Sequence, residues 1–379
     1  MNKNPPLIIM CFAAVFILSC VISNSSKTSE VKKNVESDTS FKWLKKMMQD
    51  SITKYNFPSF AIGVVYDGKI IYTDAVGWAD RAKKIPATAE SVYQIGSLTK
   101  TFTGNVLAHL ILNRTINLDA DISTYFPATV HFPADSNGKK LTVKDIATHS
   151  SGLPRYPGNL DRVDGEPMMG YTKEQMYEAL STMRLERNVG VAYSYSNFGY
   201  GVLGTAMENV TKQPYAQLLE KYIFKPLSMN SSSGELDSKV KNKLTTAYYD
   251  DRPNEESKPW QMGALVAHGG IFSNVKDISR FMIHFMDTAQ ADIKLQQTPF
   301  FRISRITTYG LGIFMTNYGA PQNTMVMYHG GDLDSYASNM ICYPQKKLGM
   351  VMMSNGAAGR GLGNLFTAIE NELYKRYAK

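Results

Sequence analysis

The stretch QIGSLTKTFTG, residues 94–104, places Ser97 three residues ahead of Lys100, where a helix is predicted to begin. Residues three apart share one face of a helix, so the amine can reach the hydroxyl. A serine hydroxyl becomes a good nucleophile when a base takes its proton, and a desolvated lysine can be that base. The alternative is a helix-capping serine followed by a surface lysine. The rest of the chain has to decide between these two interpretations.

Serine and lysine recur at this spacing elsewhere, so the pattern alone decides nothing. The other pairs are Ser29/Lys32, Ser51/Lys54, Ser136/Lys139, Ser238/Lys241 and Ser273/Lys276. Only the pair at Ser97 is followed by a long apolar helix, whose predicted buried stripe comprises Phe102, Val106, Leu107, Leu110 and Ile111. This helix favours a buried Lys100, and burial lowers the pKa of a lysine.

The first residues of the sequence form an apolar run, PLIIMCFAAVFIL, which follows Lys3 and ends at Ser19-Cys20. The run is shorter than the roughly 20 residues that span a bilayer, and it is typical of a signal-peptide core. Its ending, ILSC, resembles the lipobox of bacterial lipoproteins, in which the cysteine becomes the lipidated N-terminus. We therefore expect a signal peptide at residues 1–19 and lipid on Cys20. The protein would be exported and periplasm-facing, anchored in the cell envelope with the outer membrane as the expected site.

Composition and charge restrict the partners. Residues 20–40 are polar and poor in aromatic residues, which predicts a flexible tether. The 379-residue chain is 44% hydrophobic and 20% charged, which is typical of a globular protein. Its basic residues are scattered pairs without interleaved aromatic residues, so we expect no nucleic-acid partner. The net charge of +8 fits a protein beside anionic lipid, and peptidoglycan is a further candidate partner.

Strands are predicted near both ends of the folded body, with helices between them. An amphipathic helix over residues 41–55 precedes two strand-forming runs around Asp67-Gly68, a strong hairpin signal. Strand-like runs return after Tyr309, and a closing helix is predicted from about Leu362 to Tyr377. The expected fold is α/β (α+β): an antiparallel sheet flanked by N- and C-terminal helices, with an inserted all-helical domain. We expect the sheet domain at residues 41–104 and 265–379 and the helical domain at residues 105–264.

Several common chemistries lack their motifs in this sequence. It contains no H-E-x-x-H, no G-x-S-x-G and no Walker A loop, and its six histidines form no metal-spaced cluster. Residues 199–204 match G-x-G-x-x-G but follow no apolar strand, so close packing of a helix is favoured over dinucleotide binding. No metal and no cofactor are expected.

Two further motifs follow the serine–lysine pair: Tyr195-Ser-Asn197 and His329-Gly-Gly331. Taken in order, S-x-x-K, Y-x-N and H-x-G resemble the serine β-lactamase and penicillin-binding-protein superfamily. The similarity is greatest to the branch with class C β-lactamases, DD-peptidases, D-aminopeptidases and esterases. It extends over about residues 42 to 378, includes the stretches at 141–154 and 267–281, and implies the β-lactamase/transpeptidase-like fold.

The resemblance implies roles for the residues of the first two motifs. Ser97 would be the acylated nucleophile. Lys100 and Tyr195 would share proton transfer, and the sequence does not decide which of them is the base. Asn197 would position the substrate amide and Lys100.

The third motif reads H-G-G where many relatives carry K-T-G. By resemblance, His329 would aid proton movement or hold a substrate anion, and Gly331 would let substrate lie against the strand. The backbone N–H groups of Ser97 and Asp332 would form the oxyanion hole. In the relatives, the lysine and threonine help to hold a carboxylate, whereas His329 is cationic only part of the time near neutral pH. We therefore expect neutral acyl substrates to be turned over better than β-lactams or peptides with a free carboxylate.

The expected function is that of a serine hydrolase acting through an acyl-enzyme on amide or ester bonds. Its substrates would be small molecules or peptides, most simply D-amino-acid peptides or small acyl esters of the cell envelope. A class C-like β-lactamase is the alternative within the superfamily. A non-catalytic penicillin-recognising wall or sensor protein is the alternative of a different class, and it would be marked by a broken motif, whereas none is broken here.

Overall fold

The structure, a computed structural model, describes residues 41–378 apart from 161, 164–165, 168–169, 251, 253, 320–323 and 357–358. The expected signal peptide, tether and lipidated Cys20 lie outside the described residues. Phe41–Lys379 cluster as one compact unit. The division of this unit into a sheet domain and a helical domain stays a prediction.

The described residues form short and long strands, which are numbered in chain order. They are β1 (Ser59–Tyr66), β2 (Lys69–Asp80), β3 (Ile85–Pro86), β4 (Tyr93–Gln94), β5 (Arg162–Val163), β6 (Glu166–Pro167), β7 (Ala247–Tyr248), β8 (Glu256–Ser257), β9 (Phe272–Ser273), β10 (Phe301–Arg302), β11 (Thr307–Tyr309), β12 (Phe314–Asn317), β13 (Met325–Asp332), β14 (Ala337–Tyr343) and β15 (Leu348–Ser354).

Helices fill most of the chain between β4 and β10 and flank the strands at both ends. The α-helices are α1 (Lys42–Tyr55), α2 (Thr99–Leu112), α3 (Val143–Ala147), α4 (Lys173–Thr182), α5 (Asn197–Thr211), α6 (Tyr215–Leu219), α7 (Ser238–Lys241), α8 (Val275–Phe285), α9 (Ala291–Gln296) and α10 (Gly359–Tyr377). Short 3₁₀ turns cover Gly96–Leu98, Ile122–Tyr125, Gly263–His268 and Pro344–Lys346, and Glu220–Phe224 is a π-helical turn. No helix of the described part is long and apolar enough to cross a bilayer.

A nine-stranded antiparallel sheet joins the two ends of the folded chain. Its spatial order is β10-β11-β12-β13-β14-β15-β1-β2-β3. The β1–β2 turn has Asp67 and Gly68 at φ values of 47° and 73°, the left-handed conformation that a tight hairpin needs. Strand β1 also pairs with β15, with Phe60 opposite Ser354. The predicted hairpin and the predicted antiparallel sheet with flanking helices are confirmed.

The two faces of the sheet are covered by different helices, as β1 illustrates. Phe60, Ile62 and Val64 are buried in the apolar cluster that includes residues of α1 and α10. The alternate residues of the strand face the other way, where α8 packs closely. A Cβ atom at Gly63 would lie 2.3 Å from Ser279 Oγ of α8, so this contact requires a glycine. Both faces of β1 are therefore buried, which explains why its sequence is almost wholly apolar.

Helix α2 is buried on nearly all sides, which differs from the single apolar stripe that the sequence predicts. Polar residues on its other faces are buried as well. Their hydrogen-bonding groups have internal partners: Thr101 Oγ1 donates to the Gly312 carbonyl over 2.9 Å, and Gln296 Nε2 donates to the Thr101 carbonyl over 2.6 Å. A Cβ at Gly104 would lie 2.0 Å from the Leu311 carbonyl oxygen. These contacts explain how a helix that carries a lysine lies within the protein core.

The G-x-G-x-x-G segment lies in α5 and packs against the 3₁₀ turn at Gly263–His268. A Cβ at Gly201 would lie 2.5 Å from Leu265 Cδ2, and one at Gly204 would lie 2.4 Å from Ala267 Cβ. The prediction of close helix packing is confirmed. This approach brings the end of the turn, at His268, next to α2.

Candidate active site

Ser97 lies in the tight turn that precedes α2. Gly96 begins the turn with a φ of 52°, a conformation that favours glycine. Ser97 is partly exposed, whereas Gly96 and Leu98 on either side of it are buried. Neither the 3₁₀ turn nor α2 has a side-chain cap, because their N-cap residues are Ile95 and Leu98. The alternative interpretation of Ser97 as a helix cap is therefore wrong.

Lys100 is fully buried, and its amine has three oxygen partners. Nζ lies 3.0 Å from Ser97 Oγ, 2.7 Å from Asn197 Oδ1 and 2.8 Å from the His268 carbonyl oxygen. Burial, and secondarily the charge of Arg155, holds the pKa of Lys100 well below its usual range. A neutral amine has two N–H donors and one lone pair. Asn197 Oδ1 and the His268 carbonyl can only accept, so the lone pair is left for the hydroxyl of Ser97.

The second motif lies at the N-terminus of α5. Ser196 is the N-cap: its hydroxyl accepts the Gly199 N–H over 2.8 Å and donates to the Pro154 carbonyl over 2.6 Å. Asn197, the first helical residue, is buried and directs its amide oxygen at Lys100. The ring centroid of Tyr195 lies 4.8 Å from Lys100 Nζ. The structure thus brings Ser97, Lys100, Tyr195 and Asn197 together.

His149 supports this turn, and sequence reasoning assigned it no role. It is fully buried with a φ of 58°. Its Nδ1 accepts the Ser196 N–H over 3.0 Å, and its ring centroid lies 4.3 Å from that of Tyr195. Burial, followed by the proximity of the basic groups of Lys100, His329 and Arg155, places the pKa of His149 well below its usual range. The only available signal was its position in the stretch at 141–154 that carries the family resemblance.

The third motif brings the end of β13 against the turn at Gly96–Leu98. This turn carries the predicted nucleophile Ser97 and is named the nucleophile turn. A Cβ at Gly331 would lie 1.9 Å from the Ile95 carbonyl oxygen, and Ser338 Oγ donates to the same carbonyl over 2.7 Å. On the other side of the contact, a Cβ at Gly96 would lie 3.1 Å from the backbone nitrogen of Asp332. The backbone of Asp332 is thus adjacent to the turn that carries Ser97. The resemblance implied that Gly331 leaves room for substrate, but the space beside its Cα is occupied by Ile95.

His329 is buried and neutral, contrary to the expectation that it is cationic part of the time. Its Nδ1 lies 2.7 Å from the Gly330 carbonyl oxygen, to which it can only donate, and its Nε2 lies 3.5 Å from Tyr309 Oη. Burial, and then the proximity of the Lys100 amine, lower the pKa of His329 to about 3, against the opposing effect of the Gly330 hydrogen bond. The third motif therefore contributes no positive charge at neutral pH.

Asp332 and Arg155 are two charged residues near this site, and both have solvent-accessible surface. Asp332 is exposed to solvent, and desolvation by the surrounding protein, followed by the charges of Asp250 and Asp334, raises its pKa to about 6. Arg155 acts on Asp332 in the opposite direction. Within the described ranges, no three His, Cys, Asp or Glu side chains are arranged to hold a metal ion.

Comparisons with known proteins agree with this geometry. The family model described as Beta-lactamase matches residues 43–370. The D-alanyl-D-alanine-carboxypeptidase/endopeptidase AmpH of Escherichia coli (strain K12) is 28% identical over 306 residues, which cover 76% of each protein. Protein flp of Staphylococcus aureus (strain N315) is 25% identical over 323 residues. These residues are 82% of this chain but 62% of flp, so the chain spans less than two thirds of the length of that relative.

Solved structures share the fold. The β-lactamase/D-alanine carboxypeptidase from Yersinia pestis, complexed with citrate, superposes with a TM-score of 0.73 at 19% identity, over 86% of this chain and 97% of that one. The matched family model covers the sheet, the helices between its strands and all the motif residues described above. The chain belongs to the Beta-lactamase family of serine hydrolases and penicillin-binding-protein-like proteins.

Proposed function

We propose that the protein is a serine hydrolase that cleaves amide or ester bonds through an acyl-enzyme on Ser97. The observation that carries the proposal is the environment of the Lys100 amine. It is buried beside the Ser97 hydroxyl, and its two other partners can only accept hydrogen bonds. A neutral amine in this position can take the serine proton, as nucleophilic catalysis requires.

In the acylation step, Ser97 Oγ forms a bond to the substrate carbonyl carbon while its proton moves to Lys100 Nζ. The carbonyl electron pair moves to the oxygen, which becomes an oxyanion. The backbone N–H groups of Ser97 and Asp332 are assigned to that oxyanion, since preorganised donors stabilise developing charge. When the oxyanion collapses, the bond to the leaving nitrogen or oxygen breaks. The leaving group receives the proton by way of Tyr195, whose ring lies beside Lys100 Nζ.

Deacylation repeats these steps with water as the nucleophile. Water attacks the acyl carbon, gives up a proton to the same Lys100–Tyr195 pair, and forms a second oxyanion. Collapse breaks the bond to Ser97 Oγ, which takes the proton back, and the carboxylic acid leaves. No group beyond the substrate and water is consumed.

The proposed substrates are D-amino-acid peptides or small acyl esters of the cell envelope. The similarity to AmpH, which is named as a D-alanyl-D-alanine carboxypeptidase/endopeptidase, supports the peptide class. β-Lactam hydrolysis is the second candidate, because the same two steps apply when the amide belongs to a strained ring. The partly exposed Ser97 beside a buried amine is evidence against a non-catalytic sensor.

The proposal is tested with purified protein and a fluorescent fluorophosphonate probe, followed by peptide mapping. We expect one adduct, on Ser97, and turnover of at least one of three substrate groups: p-nitrophenyl esters, nitrocefin and D-alanyl peptides. An unlabelled wild-type protein would overturn the mechanism. Labelling without turnover of any of these substrates would overturn the proposed substrates.

We further propose that the protein is lipid-anchored through Cys20 in the cell envelope, facing the periplasm from the outer membrane. The support comes from the sequence: an apolar run that ends in Leu-Ser-Cys, followed by a polar stretch. A tether of this composition would let the enzyme act on nearby peptidoglycan while remaining at the membrane.

A further inference from the structure

The motif residues leave the site without a fixed cation at neutral pH. Relatives with K-T-G have a lysine in the third motif, whereas this chain has His329, which is buried and neutral. The other basic residue of the motifs, Lys100, is buried and directs its amine at Ser97, Asn197 and His268. A negatively charged substrate would therefore need a positive charge from outside the motifs.

Arg155 places such a charge beside the catalytic tyrosine. Its guanidinium carbon lies 5.4 Å from the ring centroid of Tyr195 and 6.0 Å from that of Tyr156. Lys100 Nζ lies against the same Tyr195 ring, so the arginine is separated from the base by one side chain. Guanidinium groups stack on aromatic faces and keep their N–H edges available for hydrogen bonds.

The backbone of Arg155 is fixed to the second motif. Its carbonyl accepts the N–H of Asn197 over 3.0 Å and that of Phe198 over 3.1 Å. The backbone of Arg155 is therefore held at the start of α5, the same helix start that positions Asn197.

The side chain of Arg155 is partly exposed, and its charge acts on several groups of the site. It lowers the pKa of Lys100, His149, His268 and Asp332. Among the side chains that the structure describes, which leave out residues 161–169, no carboxylate lies within ion-pair distance of this guanidinium. Asp332 is nearby but unpaired with it, and the negative charges around Asp332 would repel an anion from that side. An anionic group of a substrate would consequently lie on the Tyr156 side of the opening.

We propose that Arg155 binds a carboxylate of the substrate next to the scissile bond and makes the enzyme selective for anionic acyl substrates. The proposal rests on the proposed hydrolase function and specifies its substrate class. It reverses the expectation of a preference for neutral substrates, because that expectation counted only the motif residues as sources of positive charge. A guanidinium can bind a carboxylate with two parallel hydrogen bonds, which a lysine cannot do.

The test uses a matched pair of substrates: the mono-p-nitrophenyl ester of glutaric acid and its methyl ester, which lacks the free carboxylate. For wild-type protein we expect a higher kcat/KM for the free acid. Arg155→Gln should lower the acid-to-ester ratio of kcat/KM by tenfold or more, mainly through KM, as expected for the loss of a hydrogen bond between charged groups. Arg155→Lys should give an intermediate ratio. Arg302→Gln, which removes an exposed arginine of β10, should leave the ratio unchanged.

The ratio separates substrate binding from other effects of Arg155. A change in the basicity of Lys100 would move the pH–rate profiles of both substrates together and leave the ratio constant. The proposal is overturned if wild-type protein turns over the methyl ester as well as the acid, or if Arg155→Gln keeps the wild-type ratio while Ser97 still reacts with the fluorophosphonate. Absence of fluorophosphonate labelling in wild-type protein would instead remove the proposed hydrolase function, and the selectivity with it.

Discussion

The amine of Lys100 lies 3.0 Å from the hydroxyl oxygen of Ser97, and the lysine side chain has no exposed surface. Burial favours the neutral amine, which is the form that can accept a proton from serine. The two hydrogen bonds to Asn197 and His268 orient the amine so that its lone pair can accept the proton of Ser97. The pair therefore has the arrangement that the proposed mechanism needs: the proposed nucleophile Ser97 is partly exposed, and the proposed base Lys100 is shielded from water.

Ser97→Ala should abolish hydrolysis and fluorophosphonate labelling while the protein stays folded. The serine side chain makes no cap hydrogen bond, and its contact with Lys100 is a single hydrogen bond, which contributes about 0.5–1.5 kcal/mol. The thermal midpoint should therefore change by a few degrees at most, as measured by circular dichroism. Wild-type-like turnover by this variant would remove Ser97 from the mechanism.

Lys100→Arg should reduce kcat/KM by roughly 10²–10⁴, the usual contribution of a general base. A guanidinium stays protonated at any working pH and cannot take the serine proton. Lys241→Arg is the matched control, since Lys241 follows Ser238 at the same spacing but is exposed. If Lys100→Arg retains full activity, the base is another group and Tyr195 becomes the first candidate.

The wild-type pH–rate profile should reflect the lowered pKa of Lys100. The base form of the lysine is active, so the rate falls as pH drops through the pKa of the folded protein and is constant above it. Because burial and Arg155 lower this pKa, the fall should occur well below the ordinary lysine value of about 10.4. A neutral ester is the suitable substrate, because its own charge does not change with pH. A rate that keeps rising up to pH 10 would contradict a neutral Lys100.

Gly331→Ala should inactivate the enzyme and destabilise it. The new Cβ would lie 1.9 Å from the Ile95 carbonyl oxygen, so β13 or the nucleophile turn must move. Overpacking of this kind costs about 1–3 kcal/mol or more. Gly319→Ala is the control, since a Cβ there meets no atom within 4 Å. Chemical denaturation of both variants, together with ester turnover, measures the two effects, and equal behaviour of the variants would show that β13 adjusts freely.

Asp292 should contribute stability that disappears in acid. Its carboxylate accepts hydrogen bonds from Asn105 over 2.9 Å and His284 over 2.8 Å, and His109 lies 3.5 Å away. Desolvation alone would raise the pKa of Asp292, but these hydrogen bonds and the histidine charges lower it overall. A carboxyl with a lowered folded-state pKa stabilises fully above its unfolded value of about 3.9, and this contribution is lost as pH falls further.

Asp292→Asn should therefore lower the free energy of unfolding by about 1–3 kcal/mol at pH 7, and by less as the pH falls below 4. Asp50→Asn provides the comparison, because Asp50 forms an exposed ion pair with Lys46 that is worth little. Urea titrations at several pH values test the difference. A constant gap between wild type and Asp292→Asn from pH 7 to pH 3 would contradict the assignment.

Cys20→Ala should move the protein from the membrane fraction to the soluble periplasmic or secreted fraction. The proposed lipid is attached only through this cysteine, and the polar residues that follow it have little affinity for a bilayer. Fractionation and mass analysis of the N-terminal peptide measure the outcome. An equally membrane-bound variant would place the anchor elsewhere.

The sequence was sufficient to predict the parts of the structure that depend on local patterns. The hairpin at Asp67-Gly68 follows from residues that are adjacent in the chain, and it is confirmed. The family motifs also predicted that Ser97, Lys100 and Asn197 would meet. The short strands β10 and β11 at one end of the sheet were missed, because two or three residues give no periodic signal.

The rest of the site depends on contacts that no local pattern reveals. The carbonyl of His268 reaches Lys100 only because α5 packs on the turn before it, and the sequence does not specify a backbone acceptor. Arg155 lies in a loop whose backbone is hydrogen-bonded to the start of α5, and its guanidinium lies over Tyr195. The neutrality of His329 follows from burial, which its motif does not indicate.

The pairing of β1 with β15 has a consequence for when the protein becomes active. The nucleophile turn emerges early in synthesis. The residues that pack on Ile95, namely Gly331 and Ser338, are made much later. Strand β1 likewise lacks one of its neighbours until β15 has been made. Contacts this distant in sequence form late, because the long intervening chain must first be ordered. A nascent or partly translocated chain would thus hold Ser97 and Lys100 without the strand that completes their site. Under the proposed export, hydrolysis would begin only after the C-terminal strands have reached the same compartment as the N-terminal ones, and the chain would be inert until then.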